Sequence, residues 1–437
     1  DFPLASPRAP TEPVNVTFRV AVPLNTPANE TVYMEWSSAT LGSGSDPLTS
    51  LTSNRWIWEG RVTFSAPGDI TYAYTRGAAR VPENATRSLA VAYEDQVVTD
   101  GVDVWSDLPP MPLAPSFLQG VGPEDFWSVD FLGQYEAALD DIVDQNAEWV
   151  VVSSIWSYGR VDPTPLVEPR PLRAGSVFAT TEDLQEVIAR IHAHGLKAFI
   201  VPQFNMELTP GGDEVWNAHN NSWWAAWLDQ ARRLYLYNAL VAEKAGVEML
   251  LLPGPGFHVF FGSGWFTDPG YLPTFDARMQ ALIGEVRARY SGLLAVGGVP
   301  TEYDFPSLAD FVGTTTFALT TPNLENRTVG AIRSDYDALL DSQTQPLFAR
   351  WGRPVIFYQV ALNGFGGTDT VLTPGHLLLQ ANAFEAFFQA LWNRTWVEGM
   401  FTFGYRYTEV PLLVDASTRG KPASAVLAKY FGILPPG

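Results

Sequence analysis

Six carboxylates fall where the hydrophobic pattern places the ends of strands: Glu124, Asp125, Glu207, Glu302, Asp304 and Glu409. Acids in such positions suit acid–base chemistry. Two such carboxyls, one protonated and one ionised, can act as general acid and general base on either side of a reacting bond. Glu207 and Glu302 are the fallback pair for that role. The ordinary reading of any one of these acids is a solvated loop charge or an ion-pair partner. The same strand ends carry aromatic residues, chief among them Trp156, Tyr158, Trp265, Tyr303 and Tyr405. Flat rings there could stack on sugar faces, and they could equally pack loops.

Other chemistries find little support. There is no cysteine, which removes disulfides, thiolate metal sites and cysteine nucleophiles. His192 and His194 sit two apart on one predicted helix, and the other histidines are scattered, so no metal site and no cofactor are expected. No Gly-x-Ser-x-Gly elbow occurs. The net charge of −20, unrelieved by any basic run, would repel nucleic acid and anionic membrane surfaces. No apolar stretch approaches the roughly 20 residues that cross a bilayer, so no membrane insertion is expected. Asn-x-Ser/Thr sequons stand at Asn15, Asn29, Asn84, Asn220, Asn326 and Asn393. They favour an exported, glycosylated, extracellular or cell-surface protein whose signal peptide has been removed.

The elements that would position these residues come in two kinds. Up to about residue 104 the chain alternates apolar and polar residues in short runs, as at Val16, Phe18, Val20 and Val22. That period of two, punctuated by Gly, Pro, Asn and Asp, predicts a β-sandwich over residues 1–105. Prolines at 109, 110, 112 and 115 make residues 106–115 a stiff linker. Residues 116–437 then alternate strands and helices. Strands are predicted at 117–121, 148–155, 197–204, 248–252, 293–297, 310–317, 355–360 and 399–405. Helices are clearest at 181–194, 223–245, 274–290 and 374–392. Eight apolar strands alternating with helices predict a (β/α)8 barrel, whose chemistry sits at the C-terminal ends of the strands.

The N-terminal segments Val16-Thr-Phe-Arg-Val, Glu30-Thr-Val-Tyr-Met, Asn54-Arg-Trp-Ile-Trp-Glu-Gly and Tyr72-Ala-Tyr-Thr-Arg-Gly77 resemble the starch-binding family of carbohydrate-binding modules. The resemblance covers about 90 residues and implies glucan binding through aromatic platforms. Ala78 and Ala79 stand where that family commonly has a Trp, while Trp56 and Trp58 remain. A sandwich kept as a spacer or assembly surface is the alternative.

The second region resembles retaining glycosidases, most nearly those of the endo-β-mannanase type. Ala147-Glu-Trp-Val-Val-Val, Ala193-His-Gly-Leu-Lys-Ala-Phe-Ile-Val-Pro202, Arg353-Pro-Val-Ile-Phe-Tyr and Gly420-Lys-Pro-Ala carry the likeness, in family order. It implies an acid/base Glu ending strand four and a nucleophile Glu ending strand seven. Pro255 and Gln359 occupy those places. An amide cannot form the glycosyl-enzyme ester, and proline has no proton to donate. The leading expectation is therefore a glycan-interacting protein with a non-hydrolytic, glycosidase-derived barrel, whose partner is a polysaccharide or oligosaccharide. A glycoside hydrolase with relocated carboxylates is the alternative. A self-assembling surface or filament protein is the third reading.

Overall fold

The computed structural model describes residues 13–23, 26–27, 30–50, 57–102, 104–108, 117–123, 127–128, 131–170, 176–205, 219–252, 271–297, 301–317, 328–362, 374–391, 394, 396–405 and 417–432. The chain divides into two compact units, which meet in sequence between Ser116 and Phe117.

The described residues of the first unit form nine strands: β1 (Val14–Ala21), β2 (Val32–Ser38), β3 (Gly42–Pro47), β4 (Thr49–Ser50), β5 (Ile57–Phe64), β6 (Gly68–Arg76), β7 (Val81–Pro82), β8 (Arg87–Val91) and β9 (Gln96–Gly101). One sheet runs β4-β5-β1-β9 and the other β3-β2-β6-β7, with β8 on β6. Alternate residues of both sheets, including Phe18, Met34, Trp58, Ile70 and Tyr74, form one core cluster. β3 has the sequence Gly-Ser-Gly-Ser-Asp-Pro and no apolar residue, so hydrophobic patterning does not reveal it.

The second unit contains β10 (Leu118–Pro123), β11 (Trp127–Ser128), β12 (Trp149–Arg160), β13 (Leu166–Glu168), β14 (Ser176–Val177), β15 (Lys197–Asn205), β16 (Met249–Leu251), β17 (Leu293–Gly297), β18 (Phe311–Phe317), β19 (Val355–Ala361) and β20 (Val397–Tyr405). Its helices are α1 (Phe131–Asp144), α2 (Thr181–Ala193), α3 (Asn221–Ala245), α4 (Tyr271–Arg287), α5 (Val329–Leu339), α6 (Gln345–Trp351), α7 (Pro374–Leu391) and α8 (Pro422–Phe431). Eight parallel strands close into a barrel in the order β10, β12, β15, β16, β17, β18, β19, β20, and β20 pairs back to β10.

Local sequence explains the punctuation. Thr180 and Asp183 form a reciprocal capping box that starts α2. Asn220 caps α3, which ends at Gly246 with a left-handed φ of 73°. Leu118, Trp149, Val151, Phe199, Val201, Met249, Leu251, Ala295, Phe311, Ile356, Tyr358 and Phe401 pack together as the barrel interior. The second barrel strand runs to Arg160, five residues past its predicted end at 155, because β13 folds back and pairs with the extension.

Candidate functional site

Side chains alternate between the two faces of a strand, so the interior cluster identifies what faces the barrel mouth. On β12, Trp149 and Val151 point inward, and the same parity continues through Ser153, Ile155 and Ser157. On β15, Phe199 and Val201 lead to Gln203, whose Nε2 donates to Ser153 Oγ at 3.0 Å. On β18, Phe311 leads to Thr315.

The seventh barrel strand departs from simple alternation. Thr314 stands opposite Phe357, but Thr315 stands opposite Gln359, so the register slips by one at Tyr358. A bulge of this kind puts two successive side chains on one face. Tyr358 and Gln359 therefore both turn to the interior, and Gln359 lies two residues before the strand ends. Its side chain is 9% exposed and has no hydrogen-bond partner among the described residues. Its amide is therefore open to a hydroxyl-bearing ligand at the mouth.

Tyr358 fills the bore beneath. A Cβ built on Gly297 would lie 2.4 Å from its Cε1, and one on Gly313 would lie 2.7 Å from its Cδ1. Two glycines on neighbouring strands thus vacate the space that the ring occupies. The Tyr358 hydroxyl is buried without a partner, and burial pushes its pKa well above the usual tyrosine range. The eight barrel strands carry one carboxylate, Glu398, at the N-terminal end of β20 away from the mouth, where burial raises its pKa. The described interior surface at the mouth consists of amides, hydroxyls and apolar groups.

Four of the five aromatic residues singled out from sequence are buried, and the fifth, Trp265, lies outside the described residues. Trp156 and Tyr158 lie within β12 on its outer face. Trp156 packs 5.4 Å from the Tyr237 ring of α3, and Trp227 Nε1 donates to the Tyr158 hydroxyl at 2.6 Å. Tyr303 packs against Phe275 and Phe305 and is 3% exposed. Tyr405 follows Gly404, whose φ is 79°. Residues 402 to 405 of β20 span only 121 to 123 of β10, and the extra residue turns Tyr405 outward, where its hydroxyl accepts from Gln145 Nε2 at 2.8 Å. All four are packing residues between strands and helices in this structure, with little surface to offer a sugar.

Of the fallback acids, Glu302 is exposed in the turn after β17, and Glu207 lies outside the described residues. Pro255, Trp265, Asn29, Asn326 and Asn393 also lie outside them. Asn84 and Asn220 are exposed. Asn15 sits inside β1 and donates to Asp95 Oδ1 at 3.3 Å while accepting from Thr63. No group of three or more His, Asp or Glu that could hold a metal occurs among the described residues. Sequence reasoning passed over Ser153, Gln203 and Tyr358. The available signal was a polar residue interrupting an otherwise apolar strand, as Gln203 interrupts Ala198–Val201 and Phe204.

In the first unit the Tyr72-x-Tyr74-x-Arg76 strand is structural. Both tyrosine hydroxyls donate to Asp100 Oδ2, at 3.0 and 2.7 Å, which ties β6 to β9 of the opposite sheet. Arg76 is buried between Glu30 and Asp107 with its guanidinium over Trp105. Trp58 is a core residue, 2% exposed, and Trp56 lies outside the described residues.

No protein family and no curated protein matches the sequence. Solved structures do match the fold. A GH113 β-1,4-mannanase superposes with a TM-score of 0.58 at 18% identity, covering 72% of this chain and 99% of its own. A GH113 β-mannanase from Alicyclobacillus acidocaldarius gives 0.56 at 19% identity, covering 72% and 97%. The likeness is one of fold: a glycoside-hydrolase-like (β/α)8 barrel.

Proposed function

We propose that this chain is a glycan-interacting protein whose glycosidase-derived barrel binds sugar without hydrolysing it. One observation carries the reading. Gln359 occupies the interior face at the C-terminal end of the seventh strand, in a barrel whose eight strands contain no carboxylate in their C-terminal halves. Retaining hydrolysis needs two carboxyls there, and an amide supplies neither nucleophile nor proton. Gln359, Gln203 and Ser153 instead present amide and hydroxyl groups of the kind that orient sugar hydroxyls. The named activity of the GH113 structures suggests a polysaccharide or oligosaccharide ligand.

The N-terminal unit is a starch-binding-like sandwich that serves as a spacer or second contact. The protein works outside the cell and carries N-glycans, with Asn29 and Asn84 the favoured acceptors because both sit in polar turns of the sequence.

The test is release of reducing sugar from mannan, xylan and glucan, alongside binding of oligosaccharides. We expect binding without turnover, and no turnover from Gln359→Glu, because the acid/base partner is still missing. Turnover by the unmodified chain that Glu207→Gln or Glu302→Gln abolishes would overturn the reading in favour of relocated catalytic acids.

A further inference from the structure

With Trp156, Tyr158, Tyr303 and Tyr405 buried, a glycan at the mouth needs another flat surface. Phe178 is 42% exposed, and it is the one exposed aromatic among the described residues of the barrel unit. Its neighbour Val177 is 36% exposed. Both belong to the connection from β12 to α2. Helices run back antiparallel to the strands, so the start of α2 lies at the C-terminal end of the barrel, the end to which Gln359 belongs.

The backbone on both sides of Phe178 is fixed. On the N-terminal side, β14 pairs antiparallel with β11, Val177 opposite Trp127 and Ser176 opposite Ser128. That pairing bridges the connections that follow the first and second barrel strands. On the C-terminal side, Thr180 opens α2 two residues later through its capping box, and Thr181 Oγ1 lies 3.0 Å from the Tyr237 hydroxyl of α3. An exposed phenyl ring held between a strand pair and a capped helix loses little entropy on binding. At 42% exposed the ring leaves a flat apolar surface in contact with water.

We infer that Phe178, with Val177 beside it, is a stacking platform for one pyranose ring of a glycan whose next residues reach Gln359 and Gln203. The inference rests on the glycan-binding reading above and names a residue for it. Its chemistry is the C–H face of a sugar meeting a π surface.

The full-length chain is titrated calorimetrically with mannohexaose, cellohexaose, xylohexaose and maltohexaose. The best ligand is then measured against Phe178→Ala, Phe178→Leu, Phe178→Trp and Gln359→Ala. Phe178→Ala and Phe178→Leu should each weaken it about tenfold, and Phe178→Trp should hold it within about twofold. Melting curves of the three Phe178 variants should overlay that of the parent, since the ring is exposed. If Gln359→Ala loses binding while Phe178→Ala binds like the parent, the platform is overturned and the glycan reading stands. Leucine binding as tightly as phenylalanine overturns stacking as the mode of contact. If the parent binds none of the four, or binding survives both alanine variants, the glycan-binding mouth and the platform fall together.

Discussion

Replacing Gly297 with alanine tests the packing that holds Gln359 in place. The new Cβ would lie 2.4 Å from Tyr358 Cε1 and 3.1 Å from its Cδ1 and Cζ, whereas ordinary contact begins at 3.4 Å. The ring must therefore recede by about 1 Å inside a closed barrel, where it is 1% exposed. Overpacking of this kind costs about 1–3 kcal/mol. Gly297 does not have a left-handed backbone, so alanine recovers about 0.4–1 kcal/mol from the unfolded chain. The net loss should be about 1–1.5 kcal/mol, which lowers the melting temperature by about 2–6 °C. Tyr358→Leu removes the atoms that collide. In that background Gly297→Ala should be neutral or slightly stabilising, a coupling of about 2 kcal/mol in the double-mutant cycle. Circular dichroism melts and urea titrations of the four proteins measure it. An equal cost for Gly297→Ala in both backgrounds would show that the ring does not sit in the glycine notch, and the argument for the floor of the mouth would fail.

Two further outcomes follow from buried side chains. Tyr158→Phe leaves the Trp227 indole N–H without its acceptor, so it should lower stability by about 1–3 kcal/mol while oligosaccharide affinity stays constant; a loss of affinity at unchanged stability would return Tyr158 to the binding surface. Burial raises the pKa of Tyr135, Tyr158, Tyr336 and Tyr358 above the ordinary value of about 10. A raised folded-state pKa means stability that is complete below pH of about 10 and lost as pH rises further, by up to about 1.4 kcal/mol per pH unit for each tyrosine. Urea midpoints should be level between about pH 8 and 9 and fall above about 10, and a midpoint unchanged at about pH 11 would contradict the burial.

Much of the architecture is legible along the chain. Apolar runs such as 249–251 and 355–361 exclude water on both faces, and helices with polar stripes separate them, so a closed parallel barrel is the arrangement that buries both. That the barrel strands themselves contain no acid in their C-terminal halves is likewise a property of sequence, as is the amide at Gln359. Which side chains reach the mouth is not. A strand's faces alternate with period two, and a single extra residue exchanges them. The slip at Tyr358 keeps Gln359 inward, the extra residue around Gly404 sends Tyr405 outward, and β13 extends β12 so that Trp156 and Tyr158 become wall rather than rim. The first two are set by pairing with strands distant in sequence, and the third by a hairpin with the next strand. Residue type and spacing alone therefore name the aromatic and amide groups, and only the closed sheet decides which of them a ligand can touch.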